Sequence, residues 1–372
     1  MKKLKLLIIL PLIACIFTGC WDQKILEKIG FNLELGVESN PNGLSVSYVS
    51  PLIAPDESGK IISIEKLDGV STLREAREKA KLSSSKKVES GVLDHILFSS
   101  ELAASGLDDI LSVLEREADD PTQSYLVIVD GSPRKLLSSI SEFKTKPRSD
   151  IYLKSLIESG IESSYIPDTA VHDYDINLFS GTIDLIVPMM KLGNEEVELT
   201  GSALFHKDKM VGSINIRETS ILLSLMGKKK PMEYICKTVD NTEVSSHKLV
   251  GMAVTLKDAK RKIKVTLENG RPIVNISLSY KARCDDARWG IDFTNKEIKA
   301  NIESKIAENI KDDSMMVLDK CQKAGSDPMG IGDILRANYP NYWSNTTWLK
   351  AYQDATFNVD VKLHINSHGL IK

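Results

Sequence analysis

The stretch Tyr125-Leu126-Val127-Ile128-Val129-Asp130-Gly131-Ser132-Pro133 decides the class of fold. Its first five residues are apolar without interruption, the pattern of a strand covered on both faces, as in a parallel sheet. Asp130-Gly131 ends the strand. Pro133 suits the first turn of a helix, where a missing N–H costs nothing, and Leu136, Leu137 and Ile140 give that helix one apolar face. Upstream, Val92–Phe98 reads as a strand and Ser100–Arg116 as a helix with Leu107, Ile110, Leu111 and Leu114 on one side. Strand, helix, strand, helix at this spacing predicts a βαβ crossover onto a parallel pair.

Outward from this centre the pattern changes. Ile29–Ser50 predicts two strands about the turn Asn40-Pro41-Asn42-Gly43, because Leu33, Leu35 and Val37, then Leu44, Val46 and Tyr48, alternate with polar residues. Ile61–Ile64 predicts a third strand, and Thr72 with Glu75 forms a capping box for a helix through Leu82. Ser149–Ser163 reads as an amphipathic helix, and residues 165–192, with Pro167 and Pro188, as irregular. Glu196–Phe205 and Met210–Ile216 predict a hairpin, followed by a helix over Arg217–Met226. Leu249–Leu256, Ile263–Glu268 and Ile273–Tyr280 predict a meander, with Asn269-Gly270 as a strong hairpin turn.

Thr294 and Glu297 form a second capping box, opening a long helix with Ile298, Ile302, Ile306, Ile310, Val317, Leu318 and Cys321 on one face. Gly325 closes it, two shorter helices follow, and Thr356–Ile365 alternates as a half-buried strand. The expectation is an α+β chain of three mixed α/β domains after a signal peptide: residues 20–190, a small middle domain 191–240, and a C-terminal domain 241–372.

Composition bounds the function. The 372 residues are 42% hydrophobic and 27% charged, ordinary for a globular protein, and the net charge of −3 lacks the basic surplus of a nucleic-acid binder. At the N-terminus, Lys2, Lys3 and Lys5 precede an apolar run, Leu6–Phe17, that falls short of the ~20 residues a spanning helix needs. This is the layout of a secretory signal, and small residues directly before a cysteine mark a bacterial lipoprotein signal. Both Leu12-Ile13-Ala14-Cys15 and Phe17-Thr18-Gly19-Cys20 fit that pattern. Residues 1–19 carry three lysines and no acid, so their removal leaves a more acidic body. Cys236, Cys284 and Cys321 read as isolated buried thiols.

Chemistry-bearing motifs are scarce. The sequence has no G-x-x-x-x-G-K-[ST], no G-x-S-x-G and no C-x-x-C, and Gly330-x-Gly332 has no strand before it. His364-x-x-x-His368 lacks the glutamate of a zincin, and Asp94-His95 reads as structural. The doublets Asp108-Asp109, Asp119-Asp120, Asp285-Asp286 and Asp312-Asp313 read as solvated loops or helix surfaces. No catalytic, cofactor or metal-binding residue is nominated. Lys228–Lys230 and Lys257–Lys264 are basic groups suited to anionic headgroups or to plain solvation. The aromatic cluster Tyr339, Tyr342, Trp343, Trp348, Tyr352 and Phe357 reads as a cover for the C-terminal sheet, with a partner surface as the alternative.

Three groups of residues together resemble one family. They are Gly19-Cys20-Trp21-Asp22; Leu199-Thr200-Gly201-Ser202-Ala203-Leu204-Phe205 with Lys209-Met210-Val211-Gly212; and Met329-Gly330-x-Gly332-Asp333 with Tyr339-Pro340-x-Tyr342-Trp343 and Trp348. The sequence resembles the Ger(x)C family, the lipoprotein C subunits of spore germinant receptors in endospore-forming Bacillota. Two positions depart from its usual pattern, Ile25 and Phe17. The resemblance implies lipidation at Cys20, a three-domain α/β fold, and a non-catalytic subunit at the outer face of the spore inner membrane. Its implied partners are membrane-embedded A and B subunits. The alternatives are a substrate-binding lipoprotein of an uptake transporter and, more distantly, a cell-wall hydrolase.

Overall fold

The computed structural model describes residues 29–51, 62–83, 87–89, 92–116, 122–228, 230–236, 252–286, 293–343 and 348–368. Cys15, Cys20, Trp21 and Asp22 lie outside the described residues, as do Ile61, Asp119, Asp120, Lys229 and Leu249.

The chain opens with strands β1 (Ile29–Phe31), β2 (Glu34–Asn40), β3 (Gly43–Pro51) and β4 (Ile62–Val70), then helix α1 (Leu73–Ser83) and strand β5 (Lys87–Glu89). The α/β centre follows as β6 (His95–Ser99), α2 (Ser100–Ser105), α3 (Asp108–Arg116), β7 (Tyr125–Val129), α4 (Pro133–Glu142) and α5 (Ser149–Glu162). Next come α6 (Val171–Ser180), β8 (Ile186–Leu192), β9 (Val197–His206), β10 (Lys209–Asn215) and α7 (Ile216–Leu225). The C-terminal part is β11 (Met232–Cys236), β12 (Met252–Glu268), β13 (Arg271–Asp286), α8 (Lys296–Ala324), α9 (Ile331–Asn338), α10 (Trp348–Gln353) and β14 (Thr356–His368). The class is α+β, as expected.

Most of these elements gather around two sheets, while β1 and β5 pair in parallel as a separate two-stranded one. The large one has the order β10-β9-β8-β7-β6-β2-β3-β4. β2, β6, β7 and β8 run parallel through its middle, and antiparallel hairpins finish both edges. The expected crossover is present, because β6 and β7 pair in parallel through His95–Ser99 and Tyr125–Val129. α1, α2, α3 and α6 pack on one face through Leu73, Leu102, Leu111 and Tyr174. α4 and α5 cover the other through Leu136, Leu137, Leu153 and Ile157. Cover on both faces is why β7 is apolar at every position.

The small sheet has the order β11-β12-β13-β14. Its inner face carries Val274, Ile276 and Leu278 against α8, whose Ile302, Ile306, Ile310, Val317 and Leu318 are all buried. The long helix, its αL cap at Gly325 and the two short helices match expectation, but its N-cap is Asn295, which accepts from Glu297 N and Ile298 N, rather than Thr294. The Asn295 Oδ1 thus takes up two orphan amides of the first turn.

Four further expectations are corrected. Ser100–Arg116 is two helices, because Gly106 sits at φ +125, a conformation open to glycine, and breaks the turn. Leu107 N then donates to Asp208 O in the β9–β10 turn. Residues 165–192 contain α6 and β8 rather than irregular chain. Asp173 closes the start of α6 by accepting from Ala170 N, and Pro188 is tolerated because β8 meets β7 only through Met189 and Met190. The first two expected meander strands are one strand, β12, bent by an irregularity between Lys257 and Lys260, and the third antiparallel strand is β11. Asp285 and Asp286 end β13 rather than lying in a loop. β8 spans residue 190, and β9 and β10 extend the large sheet. Pairing satisfies the backbone of β8 wherever a domain line is drawn.

Gly201, in the middle of β9, shows how tightly β10 is held. It lies at φ +137, and a Cβ there would meet Ile214 O at 2.0 Å.

Under α5, at the start of the parallel strands, two titratable side chains are enclosed. Glu34 and His95 are register partners on β2 and β6, both fully buried. Ser149 donates to Glu34 Oε2, while Glu34 Oε1 and both His95 ring nitrogens meet no protein partner. Burial pushes the Glu34 carboxyl up to about 8 and the His95 imidazole down to about 4, so both stay neutral at intermediate pH. The native state then holds a proton on Glu34 that the unfolded chain releases, and Glu34 makes the fold lose stability as pH rises from about 4.5 to 8. Glu34→Gln is expected to leave stability at pH 5 little changed and to raise it at pH 9 by at least about 1 kcal/mol, read by urea denaturation at both pH values.

Candidate functional site

The residues of the Met329–Asp333 motif meet the large sheet at a buried junction. Asp184 lies just before β8 and Asp327 just before α9. Each joins the other's main chain: Asp184 N donates to Asp327 O at 3.1 Å, and Asp327 N donates to Asp184 Oδ2 at 2.8 Å. The Asp184 carboxylate also accepts from Lys207 N at 3.0 Å, in the β9–β10 turn, with His206 Nδ1 at 3.3 Å. One acid thus ties three segments together.

The second acid organises a helix. The Asp327 carboxylate accepts from Ile331 N at 3.0 Å and Gly332 N at 2.8 Å, taking up two orphan amides of the first turn of α9. Burial pushes the Asp327 carboxyl up to about 7; these amides oppose that rise and the Asp184 charge adds to it. Gly330 supplies the left-handed turn into the helix at φ +67.

Gly332 is required by contact. A Cβ at this position would lie 2.6 Å from the Trp348 indole nitrogen. Trp348 starts a ladder of rings: Trp343–Trp348 at 5.6 Å, Trp348–Tyr352 at 5.6 Å and Tyr352–Phe357 at 6.0 Å, the last edge to face. Trp348, Tyr352 and Phe357 are buried against the small sheet, and Tyr342 Oη donates to Gly270 O at the tip of the β12–β13 hairpin. The cluster covers the C-terminal sheet, as expected. Gln322 Nε2 closes the far side by donating to Tyr352 O and Ala355 O, both at 2.9 Å.

Other singled-out residues stand apart from this junction. His364 Nδ1 lies 3.2 Å from Glu303, whose carboxylate also accepts from Ile365 N at 2.7 Å. Glu303 lines a cleft of about 380 Å³ between α8 and β14, with Ala307, Lys311, Val361 and Leu363. Asp313 is not a solvated acid: it takes Arg217 at 2.7 Å and the Tyr234 hydroxyl at 2.7 Å, with the guanidinium 4.4 Å over the Tyr234 ring. Asp108 and Asp109 open α3. Cys236, Cys284 and Cys321 are buried, and burial pushes the Cys321 thiol up to about 12. Among the described residues no group of His, Cys, Asp and Glu is placed to hold a metal ion. Asp184 was visible in the sequence only as a break in the apolar run Ile183–Met190, and Asp327 only as an Asp-Pro pair before a helix.

The fold and this junction can be set beside known proteins. The family model for the N-terminal domain of spore germination proteins matches residues 22–192, and the model for Spore germination B3/GerAC like, C-terminal, matches residues 200–369. The chain belongs to the Ger(x)C family. Spore germination protein GerQC of Bacillus cereus is 24% identical to it over 97% of this chain and 98% of that protein. Spore germination protein B3 of Bacillus subtilis is 22% identical over 95% of each. The crystal structure of the GerBC protein superposes with a TM-score of 0.58 at 19% identity, covering 89% of this chain and 96% of that one, which is a likeness of fold. In this Ger(x)C protein the glycines and aromatics that carried the resemblance build the junction.

Gly332→Ala is expected to push Trp348 out of register and cost about 1–3 kcal/mol, with a shift in tryptophan emission. Asp327→Ala leaves the two first-turn amides of Ile331 and Gly332 unpaired, for a similar loss in urea denaturation.

Proposed function

We propose that this chain is the lipid-anchored, non-catalytic C subunit of a spore germinant receptor, needed for nutrient-triggered germination. The observation that carries the proposal is the match of both halves of the chain to spore germination families, with relatives aligned over nearly their whole length. In this reading Cys20 bears the acyl chains, and the folded body sits at the outer face of the spore inner membrane beside membrane-embedded A and B subunits. Among the described residues no helix is long and apolar enough to cross a membrane; in this reading the acyl chains on Cys20 supply the anchor. Each buried CH₂ of an acyl chain contributes about 0.8 kcal/mol, and two chains hold firmly. The tether raises the local concentration of the body at its partners.

A substrate-binding lipoprotein of an uptake transporter is a weaker reading. Such proteins close two similar lobes around a cleft, whereas the two sheets here differ in strand number and connection.

Two outcomes test the proposal. Deleting the gene in a strain freed of redundant receptors is expected to abolish the response to at least one nutrient germinant, and an unchanged response in every medium tested would refute it. Cys20→Ala is expected to move most of the protein from the membrane fraction to the soluble fraction without changing its melting curve. Equal membrane retention would contradict the anchor.

A further inference from the structure

The outer face of the small sheet carries a charge that the chain as a whole does not share. Strand alternation puts Lys260, Lys262 and Lys264 of β12 on this face, and all three are exposed. Opposite them on β13 stand Ser279, Ser277 and Asn275, and beyond these on β14 Lys362, Asp360 and Asn358. Past the bend, Lys257 continues the row and faces Lys281. Asp258, at the bend, takes Lys281 at 2.8 Å, and Lys281, then Lys260 and Lys257, hold its carboxyl below the usual range. Lys260, Lys262, Lys264 and Lys362 have no ion-pair partner among the described residues. The whole chain carries a net −3, so these cations are gathered on one face of an otherwise acidic protein.

The geometry of the face selects its partner. Alternate residues of a strand stand about 6.6 Å apart and neighbouring strands about 4.8 Å, so Lys260, Lys262 and Lys264 form a row along β12 with Lys362 two strands away. Between them lie Ser and Asn side chains, with no aromatic ring on which a nucleobase could stack. Lysine is a point charge on a flexible stem, suited to many mobile anions rather than one fixed phosphate. An exposed row of flexible cations is complementary to a plane of anionic headgroups. We propose that the outer face of the β11–β14 sheet lies against the anionic surface of a phospholipid bilayer. This contact does not require the acyl chain.

The test uses the full chain carrying Cys20→Ala, so that lipidation plays no part. Co-sedimentation is measured with vesicles of phosphatidylcholine alone and with one third phosphatidylglycerol, at low and high salt. The expected result is a preference for the anionic vesicles of about tenfold or more that high salt removes. The combined variant Lys260→Glu, Lys262→Glu, Lys264→Glu is expected to lose that preference, and the milder Lys→Gln set to weaken it. Lys79→Glu, Lys81→Glu, Lys350→Glu makes the same change in net charge elsewhere and is expected to keep it. No preference in the parent chain would overturn the proposal. So would a preference that survives in the sheet variant, which would place the attraction at Lys2, Lys3 and Lys5, or one lost equally in both Lys→Glu variants.

Discussion

Across the line between the two sheets, Asp184 N donates to Asp327 O while Asp327 N donates to the Asp184 carboxylate, and this pair of bonds sets how the two sides meet. A carboxylate removed from water is costly unless donors replace the water it loses. Here they are backbone amides that also need partners: Ile331 and Gly332 at the start of α9, and Lys207 in the β9–β10 turn. The acids and the orphan amides cancel each other's cost. The same contacts fix where α9 begins. That places Gly332 under Trp348, and Trp348 in turn seats Tyr352 and Phe357 on the small sheet.

The sequence was most legible where several levels agreed. β7 and α4 could be read from residues 125–140 because apolar run, turn, N1 proline and helical face all point one way. The Asn269-Gly270 turn and the αL cap at Gly325 follow from the same local chemistry. What could not be read depends on neighbours distant in sequence. α6 has a mixed polar and aromatic sequence whose helix is fixed by Asp173 at its start and Gly181 at its end. The bend in β12 hides a single long strand, because the exposed lysines interrupt the alternation expected of two short ones. The hairpin at 197–215 carries no local sign of which sheet it will join.

The junction was half legible. Gly330, Gly332 and Trp348 stood out as a motif, yet their purpose rests on an indole 16 positions along the chain and on an acid from the other sheet. Neither Asp184 nor Asp327 belongs to a recognisable spacing. Asp327 becomes notable only when burial removes water from it, and Asp184 only when the fold brings Asp327 and Lys207 to it. Glu34 and His95 obey the same rule: they sit in separate strands and come together through parallel register alone.

The two sheets also divide what can change from what cannot. In the small sheet a period of two separates Val274, Ile276 and Leu278, which hold α8, from Asn275, Ser277 and Ser279, which face outward. The outward charge can therefore be tuned without touching the core. The junction allows no such separation. Rotating the small sheet against the large one would pull Asp327 N from the Asp184 carboxylate and Asp184 N from Asp327 O, leaving these groups without partners. The cost of that loss adds to the apolar contact between the sheets, where Ile186, Leu204 and Ile214 pack in one cluster with Val274, Ile276 and the buried face of α8.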